Sequence, residues 1–395
     1  MRGSPVRVWA AAQSRREHRR LLLSLERTSV SHDKLRVGVL FGGRSGEHEV
    51  SLRSARSVMD AIDRDKYEVL PIGITKEGRW IAGGDPLAVL AAGSDGSTPA
   101  ALIGAPGDPT LKAIEPAGLR DIAHLDVIFP VLHGPYGEDG TVQGLLELAD
   151  IPYVGAGVVG SAVGMDKAIF KAVMTAHDIP VLPYRLVTRA RVDSDLEAVL
   201  DAMEAAFTYP LFAKPANLGS SVGVSRAADR ESLRAALQEA ARYDRRILVE
   251  QGIAAREIEI AVLGNDDPLT SIPGEIVPGD VFYSYADKYI NDAAGLLIPA
   301  PIPDDLAVHA RDLARQAYLA VDCAGLARVD FLLDKGSGAL WINEVNTIPG
   351  FTSISMYPKL WEATGIPYPE LIDRLIQLAL ERHAEKSRNL TTYGE

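Results

Sequence analysis

Apolar residues in the first part of the chain follow two spacings, one typical of buried strands and one of helices. Val37–Phe41 is an unbroken apolar run that ends at two glycines, as expected for a buried parallel strand leading into a tight turn. The next apolar residues recur with helical spacing, at Ala55, Val58, Met59 and Ile62. A strand at Val69–Ile74 follows, so the pattern predicts a β-α-β unit and a wound, Rossmann-like α/β sheet.

The same alternation returns before residue 150. Val127–Leu132 predicts another strand, and the helix after it is indicated by Val142, Leu145, Leu146 and Ala149. Residues 81–120 lie between these parts and are rich in Gly, Pro, Ala and Ser. We therefore expect them to form an insertion with little regular structure.

The pattern changes near residue 155, where Gly155 and Gly157 interrupt the chain. A helix follows, with one face made of Ile169, Ala172, Val173 and Ala176. Short strands are predicted next, at Leu211–Lys214, Val222–Ser225, Ile247–Glu250 and Glu257–Leu263. This mixture is typical of an α+β region and predicts a domain boundary near residue 155.

The last part of the chain combines one long helix with a hairpin. The helix is predicted at Asp304–Asp322, with an inward face made of Leu306, Ala310, Leu313, Ala314, Ala317 and Val321. Strands at Leu326–Leu333 and Leu340–Val345 are joined by a hairpin-type connection that contains Asp334–Gly338. A final amphipathic helix is predicted from Pro369.

Length and charge narrow the class of protein. The chain has 395 residues and a formal net charge of −12, which predicts two to three domains and argues against nucleic acid or an anionic membrane surface as the main partner. The single cysteine, Cys323, excludes an intramolecular disulfide framework and a cysteine zinc site. No apolar run approaches the roughly 20 residues of a membrane span, and the cytoplasm is the simplest location.

The first residues differ in charge from the rest. Residues 1–34 contain seven Arg and one Lys against three acidic residues, a net of +5, so the remaining residues carry −17. The apolar patch Leu21–Leu23 is too short for a secretory signal, whereas an Arg- and Ser-rich transit peptide stays open. We interpret residues 1–33 as a disordered extension or a start placed too early.

The predicted hairpin carries the most informative polar residues. Because side chains alternate along a strand, Arg328 and Asp330 share one face, and Glu344 and Asn346 share one face of the partner strand. The opposite face would be mostly apolar, with Val329, Phe331, Trp341 and Val345. Carboxylate and amide oxygens suit Mg²⁺ together with substrate phosphates. A solvated polar face with an Arg–carboxylate bridge explains the pattern equally well.

Three loops predict further binding chemistry. Lys214 and the small residues Gly219-Ser220-Ser221 can hold a phosphate, although the order is not that of a P-loop and an ordinary turn is the alternative. Glu47 follows the first strand in a loop that lacks the dinucleotide glycine spacing, and its carboxylate suits an amino group better than a pyrophosphate. His133 follows another strand end, where ligands bind in open α/β sheets, although for His133 alone a structural histidine is the better explanation.

Together, the segments that carry these residues resemble the D-alanine–D-alanine ligase family of the ATP-grasp superfamily. The resemblance covers about residues 35–384 and rests on segments that occur in order: Gly42–Ser51, His133–Gly140, Met165–Lys167, Lys214–Val224, Val249–Gln251, Ala286–Tyr289, Arg328–Asp330 and Asn343–Gly350. It implies an ATP-grasp fold preceded by the wound domain. The implied domains are residues 34–155, 156–253 and 254–385, with a tail at 386–395.

The resemblance also implies residue roles. Catalysis would involve Glu47, Ser220, Tyr289 and Arg328. ATP would be bound by Lys167, Lys214, Ser221, Glu250, Gln251, Ile253, Glu257 and Lys288. The two amino acids would contact His133, Gly350, Ser355 and Met356. Two Mg²⁺ or Mn²⁺ ions would be held by Asp330, Glu344 and Asn346.

The implied activity is ATP-dependent ligation of two D-alanines for peptidoglycan precursor synthesis, by a cytoplasmic homodimer. Relatives that make D-alanyl-D-lactate replace the tyrosine at the position of Tyr289, so its presence favours D-alanine as the second substrate. A D-alanyl-D-lactate or D-alanyl-D-serine ligase, or another ATP-grasp carboxylate–amine ligase, is the alternative.

Overall fold

A computed structural model describes residues 34–93, 97–277 and 295–390. Its first part contains the strands β1 (Leu35–Gly42), β2 (Tyr67–Ile74), β3 (Trp80–Ala82), β4 (Thr98–Leu102), β5 (Thr110–Glu115), β6 (Gly118–His124) and β7 (Val127–Pro130). The helices of this part are α1 (His48–Ala61), α2 (Pro86–Ala92) and α3 (Thr141–Leu148). The predicted strands and helices of the wound unit are therefore present, with small differences at their ends.

The first sheet is only partly parallel. Its described strands lie in the order β6-β5-β4-β3-β2-β1-β7, and β1 is parallel to both β2 and β7. The other neighbours pair antiparallel, so the prediction of little regular structure for residues 81–120 is wrong. Small residues obscured a period of two: Ala100 and Leu102 on β4, and Leu111 and Ala113 on β5, are buried at alternate positions.

A second, antiparallel sheet follows. Its strands are β8 (Tyr184–Thr188), β9 (Leu211–Pro215), β10 (Ser225–Ala227) and β11 (Arg246–Gln251), in the order β10-β9-β11-β8. The surrounding helices are α4 (Val158–Met165), α5 (Lys167–Ala176), α6 (Arg189–Ser194), α7 (Leu196–Ala206) and α8 (Arg230–Tyr243). The strand predicted at Val222–Ser225 starts only at Ser225, because the residues before it form the turn after β9.

Helix α5 does not bury the apolar face seen in the sequence. Ile169, Ala172 and Ala176 are exposed, whereas Phe170, Lys171 and Met174 are buried. The helix carries two apolar stripes, and the buried one includes a lysine that a hydrophobic pattern does not reveal.

The third sheet comprises β12 (Ala255–Gly264), β13 (Leu269–Thr270), β14 (Gly274–Val277), β15 (Gly295–Leu297), β16 (Gly325–Asp334) and β17 (Leu340–Asn346). Its strands lie in the order β15-β14-β12-β16-β17, and β13 pairs with β12. The helices are α9 (Asp304–Ala320), α10 (Met356–Thr364) and α11 (Tyr368–Lys386). On α9 the predicted inward face is buried, except for the half-buried Leu306.

A bulge in the β16–β17 hairpin changes one predicted face. The register shifts after Asp330, so Phe331 lies opposite Ile342. Ile342, not Trp341, therefore joins Val329, Phe331 and Val345 in the core, and the prediction for Trp341 is wrong. One extra residue on a strand exchanges its two faces from that point on.

Helix α11 packs against the first sheet. Leu371, Ile372, Leu375 and Ile376 belong to the same buried cluster as residues of β1 and β7. The hydroxyl of Tyr67 also donates to Asp373, at 2.7 Å. The end of the described chain thus helps to hold its beginning in place. No helix in the described ranges is long and apolar enough to cross a membrane.

Candidate active site

A single cleft of about 1560 Å³ collects the predicted site residues from loops and strand ends of all three sheets. The predicted residues that line it are Glu47, His133, Lys167, Lys214, Ser220, Ser221, Glu250, Gln251, Ile253, Glu257, Arg328, Asp330, Glu344, Asn346, Gly350, Ser355 and Met356. Lys288 and Tyr289 lie outside the described residues.

The hairpin places its polar residues together. Asp330 lies opposite Glu344, and Arg328 lies opposite Asn346. Arg328 donates two hydrogen bonds of 2.7 Å to Asp330, and Asn346 Nδ2 donates another of 2.9 Å. The Arg–carboxylate bridge that the sequence left open is therefore formed, and it shares Asp330 with the predicted metal set.

The donor set fits a magnesium ion that also binds a substrate phosphate. Asp330 and Glu344 supply two carboxylates, and Mg²⁺ is usually held by one or two carboxylates plus phosphates and water. Among the described residues, no group of three or more His, Cys, Asp or Glu side chains forms a metal cage. The Asn346 amide points its nitrogen at Asp330 and would have to turn over to offer its oxygen.

A further carboxylate, Glu259, was not recognised from the sequence. It lies on β12 opposite Asp330, is buried, and its Oε2 is 3.1 Å from Arg328 Nε. Burial opposes the charge of Arg328, but Asp330 and Glu259 outweigh it and hold the pKa of the guanidinium well above its ordinary value. In the sequence, the alternation of Glu257 and Glu259 places both on one face of a strand. It does not reveal that β16, with Arg328 and Asp330, lies beside that strand.

Three lysines and two carboxylates occupy the neighbouring wall. Lys167 Nζ donates to the carbonyl of Leu218 at 2.6 Å and lies 3.7 Å from Glu344. Lys214 Nζ is 2.6 Å from Glu250, which also pairs with the buried Lys171. Burial alone would raise the pKa of Glu250, but the two lysines lower it to about 2. Lys171 is a second charged residue that sequence reasoning missed.

The loop after β9 approaches the loop after β1. Ser220 donates a hydrogen bond to Glu47, so two residues to which the resemblance assigns catalytic roles are in contact. Ser220 and Ser221 both have left-handed backbone angles, with φ of 50° and 57°. Non-glycine residues adopt this conformation rarely, and those that do are concentrated at active sites and ligand-binding segments.

His133 connects two loops. Its Nδ1 lies 3.0 Å from the carbonyl oxygen of Ile348, and its Nε2 lies 3.1 Å from Ser54 Oγ. Burial lowers the pKa of the imidazole, so the neutral form is favoured. His133 therefore has the structural role that was its alternative, and it also lines the cleft.

Glu138 was also missed. Its carboxylate accepts from the backbone N–H groups of Gly134 and Ile348, at 2.6 and 3.2 Å. Burial and the nearby charge of Glu47 raise its pKa to about 8. Glu138 thus ties the loop after β7 to the loop after β17 beside the proposed amino-acid site.

The loop before α10 forms the other end of the cleft. Ser355 precedes the first helical residue, Met356, and its hydroxyl accepts the N–H of Thr352 at 3.1 Å. Free N–H groups at a helix start attract carboxylates and other anions. Met356 is buried against Gly274, where a Cβ atom would come within 3.0 Å of the methionine sulfur.

Comparisons with known proteins identify the family to which the chain is similar. The family description "D-ala D-ala ligase N-terminus" matches residues 36–156, and "D-ala D-ala ligase C-terminus" matches residues 173–377. A D-alanine–D-alanine ligase of Heliobacterium modesticaldum is 53% identical over 359 residues, covering 91% of this chain and 98% of the relative.

Solved structures of similar proteins share the fold. The D-alanine–D-alanine ligase of Coxiella burnetii matches with a TM-score of 0.76 at 38% identity, over 90% of this chain and 96% of that chain. The VanG D-Ala:D-Ser ligase of Enterococcus faecalis matches with a TM-score of 0.78 at 35% identity, over 88% of this chain and all of that chain.

Proposed function

The chain belongs to the D-alanine–D-alanine ligase family of ATP-dependent ligases with the ATP-grasp fold, and on that premise we propose how its residues join two D-alanines. The observation that carries the assignment of residues is the convergence of Lys167, Lys214, Arg328, Asp330 and Glu47 in one cleft. The cationic side chains suit the phosphates of ATP, and the carboxylate of Glu47 suits the ammonium group of D-alanine.

ATP binds at the wall formed by the second and third sheets. The triphosphate contacts Lys167, Lys214 and the turn at Ser221, whose side chains or backbone present positive charge and donors to the cleft. Glu250, Gln251 and Ile253 form the segment against the adenine, and Glu257 binds the ribose. Lys288 belongs to the same proposal, although it lies outside the described residues.

Asp330, Glu344 and Asn346 hold the divalent cations, proposed as two Mg²⁺ or Mn²⁺ ions. When bound, such ions neutralise the charge on the phosphate oxygens during phosphoryl transfer. Glu344 lies beside Lys167, so the phosphates meet cationic side chains and metal ligands at one place.

The first D-alanine places its ammonium group at Glu47 and its carboxylate near His133. That carboxylate is a poor acyl donor, because oxide is a poor leaving group. One of its oxygens attacks the γ-phosphorus of ATP, the bond to the bridging oxygen of ADP breaks, and D-alanyl phosphate forms. The second D-alanine, with its carboxylate at Ser355 and Met356, attacks the carbonyl with its neutral amine. Phosphate leaves as the peptide bond forms, and the attacking nitrogen releases one proton to water.

Arg328 and the backbone of Gly350 stabilise the oxyanion of the tetrahedral state. Arg328 is held in place by Asp330 and Glu259, so its charge is oriented before the reaction begins. Ser220 and Tyr289 complete a hydrogen-bonded set with Glu47, of which the Ser220–Glu47 bond lies in the described part of the chain.

The assay uses D-alanine, ATP and Mg²⁺ and measures phosphate and dipeptide. We expect one phosphate per D-alanyl-D-alanine formed, and absence of dipeptide with the folded protein would reject the proposal. The same assay with D-lactate or D-serine as second substrate tests the alternative, which the similarity to a D-Ala:D-Ser ligase makes worth measuring. We expect D-alanine to be preferred.

We further propose three domains, at residues 34–155, 156–253 and 254–385, supported by the three separate sheets. A homodimer, a cytoplasmic location and a role in peptidoglycan precursor synthesis complete the proposal. Sedimentation of the purified chain tests the dimer.

A further inference from the structure

The buried Lys171 is the charged residue near the ATP wall to which the mechanism assigns no task. It lies one turn after Lys167 on α5, but Lys167 lines the cleft and Lys171 does not. The Lys171 side chain is 1% exposed, compared with 13% for Lys214. Glu250 thus separates a lysine that reaches the cleft from one that is sealed behind it.

Among the described residues, Glu250 is the carboxylate in direct contact with Lys171, and the charge of Glu344 acts on it more weakly. Lys171 Nζ pairs with Glu250 and forms no regular hydrogen bond with any described residue. The ring of Tyr184, which lies opposite Glu250 on β8, is 5.9 Å from Nζ. Burial lowers the pKa of Lys171, and Glu250 opposes this effect. Burying a charged lysine costs free energy, so its presence here calls for a compensating interaction or a role in function.

The charges of Lys171, Glu250 and Lys214 indicate what the role of Lys171 is. Two lysines share one carboxylate, so the three side chains carry a net charge of +1. If Lys214 turns to an ATP phosphate, Glu250 loses its cleft-side partner while it stays buried. A buried carboxylate without a counter-ion is strongly unfavourable, and this penalty would weaken ATP binding.

We propose that Lys171 is a positioning residue that keeps Glu250 paired when Lys214 leaves it for an ATP phosphate. This inference rests on the proposed contact between Lys214 and ATP. It predicts that the charge of Lys171 contributes to the affinity for ATP and contributes little to the chemical step or to the binding of D-alanine.

The test compares Lys171→Met with the wild-type chain in the dipeptide assay. Methionine keeps an unbranched side chain of similar length without the charge. We expect the KM for ATP to rise about tenfold or more, while kcat and the KM for D-alanine change by less than about threefold. Lys76→Met, at an exposed site outside the cleft, is the matched control and should leave all three values unchanged.

A second comparison separates the charge from the volume of the side chain. In a Glu250→Gln background no buried carboxylate needs a partner, so adding Lys171→Met should change the KM for ATP by less than about twofold. A purely structural lysine would instead give the same effect in both backgrounds. This pair also decides the question if Lys171→Met alone does not fold.

An unchanged KM for ATP in folded Lys171→Met, or an equal rise in both backgrounds, would overturn the inference. These results are distinct from failure of the proposed function, which would appear as absence of dipeptide with the wild-type chain.

Discussion

Buried charged residues decide the chemistry of the cleft at the scale of single side chains. Glu250, Glu259 and Lys171 are each almost fully buried and each has an oppositely charged partner. Burial strengthens such interactions because water does not screen them. The orientation of Arg328 and Lys214 therefore follows from residues behind them as much as from the side chains that face the substrates.

Glu344 provides a prediction at this scale. Glu344→Gln keeps the shape of the side chain but removes the charge that faces Lys167 and would bind Mg²⁺. We expect turnover to fall by about a hundredfold or more, with a higher Mg²⁺ requirement and an unchanged fold, since loss of a metal ligand removes charge stabilisation from phosphoryl transfer. Turnover titrated against Mg²⁺ checks this. Wild-type turnover at limiting Mg²⁺ would contradict it, and the exposed Glu362→Gln is the control.

At the scale of single elements, two glycines allow helix α4 to pack closely against the region of the β16–β17 hairpin. Its Gly160 and Gly164 lie one turn apart and face other parts of the chain closely. A Cβ atom at Gly160 would be 2.5 Å from the carbonyl oxygen of Asp322, and one at Gly164 would be 2.9 Å from the Thr347 side chain. The helix can lie this close to the residues after α9 and to the end of β17 only because both glycines lack a side chain.

Replacement of Gly160 by alanine tests this packing. The backbone at Asp322 must move, so we expect an apparent loss of about 1–3 kcal/mol in the free energy of unfolding. Gly144→Ala is a matched control in α3, where nothing lies within 4 Å, and helix propensity should make it about 0.5–1 kcal/mol more stable. Denaturant unfolding of both variants measures the difference. Equal effects of the two substitutions would show that α4 does not need the close contact.

The sequence predicted some strands and helices correctly and missed others. Long periodic segments such as α9 and the strands β1 and β16 follow from their own residues, because each buries one regular face. The strands of residues 81–120 were not predicted, because small residues obscure their alternation and pairing with the adjacent strands stabilises them. The bulge in the hairpin also has no local signal, and it exchanged the roles of Trp341 and Ile342.

At the scale of the whole molecule, an acidic protein binds an anionic nucleotide. Residues 35–395 carry a net charge of −17, yet the wall of the cleft presents Lys167, Lys214 and Arg328. Local cations dominate inside a cleft because the low-dielectric walls concentrate their field, whereas distant surface charges are screened. The net charge of a protein therefore argues against some macromolecular partners, such as nucleic acid. It does not predict the charge of a small substrate that binds in a cleft.

At the scale of the whole molecule, we predict that the basic residues 1–32 are not needed for activity. The family match begins at residue 36, and Glu47 is the first of the described residues that lines the cleft. Removal of residues 1–32 should leave kcat and both KM values unchanged. Steady-state kinetics of the truncated chain check this expectation, and a loss of activity in the folded, truncated protein would assign the segment a role.

The sequence alone determined the family, the main strands and helices, and the predicted site residues that line the cleft, because those residues occur in ordered motifs next to regular apolar patterns. The tertiary structure decided which side chains are buried together. Lys171 and Glu259 are charged residues outside the recognised motifs, and their roles arise only when neighbouring strands or helices shield them from water. Burial and electrostatic pairing depend on contacts between residues far apart in the chain, and one-dimensional patterns do not contain those contacts.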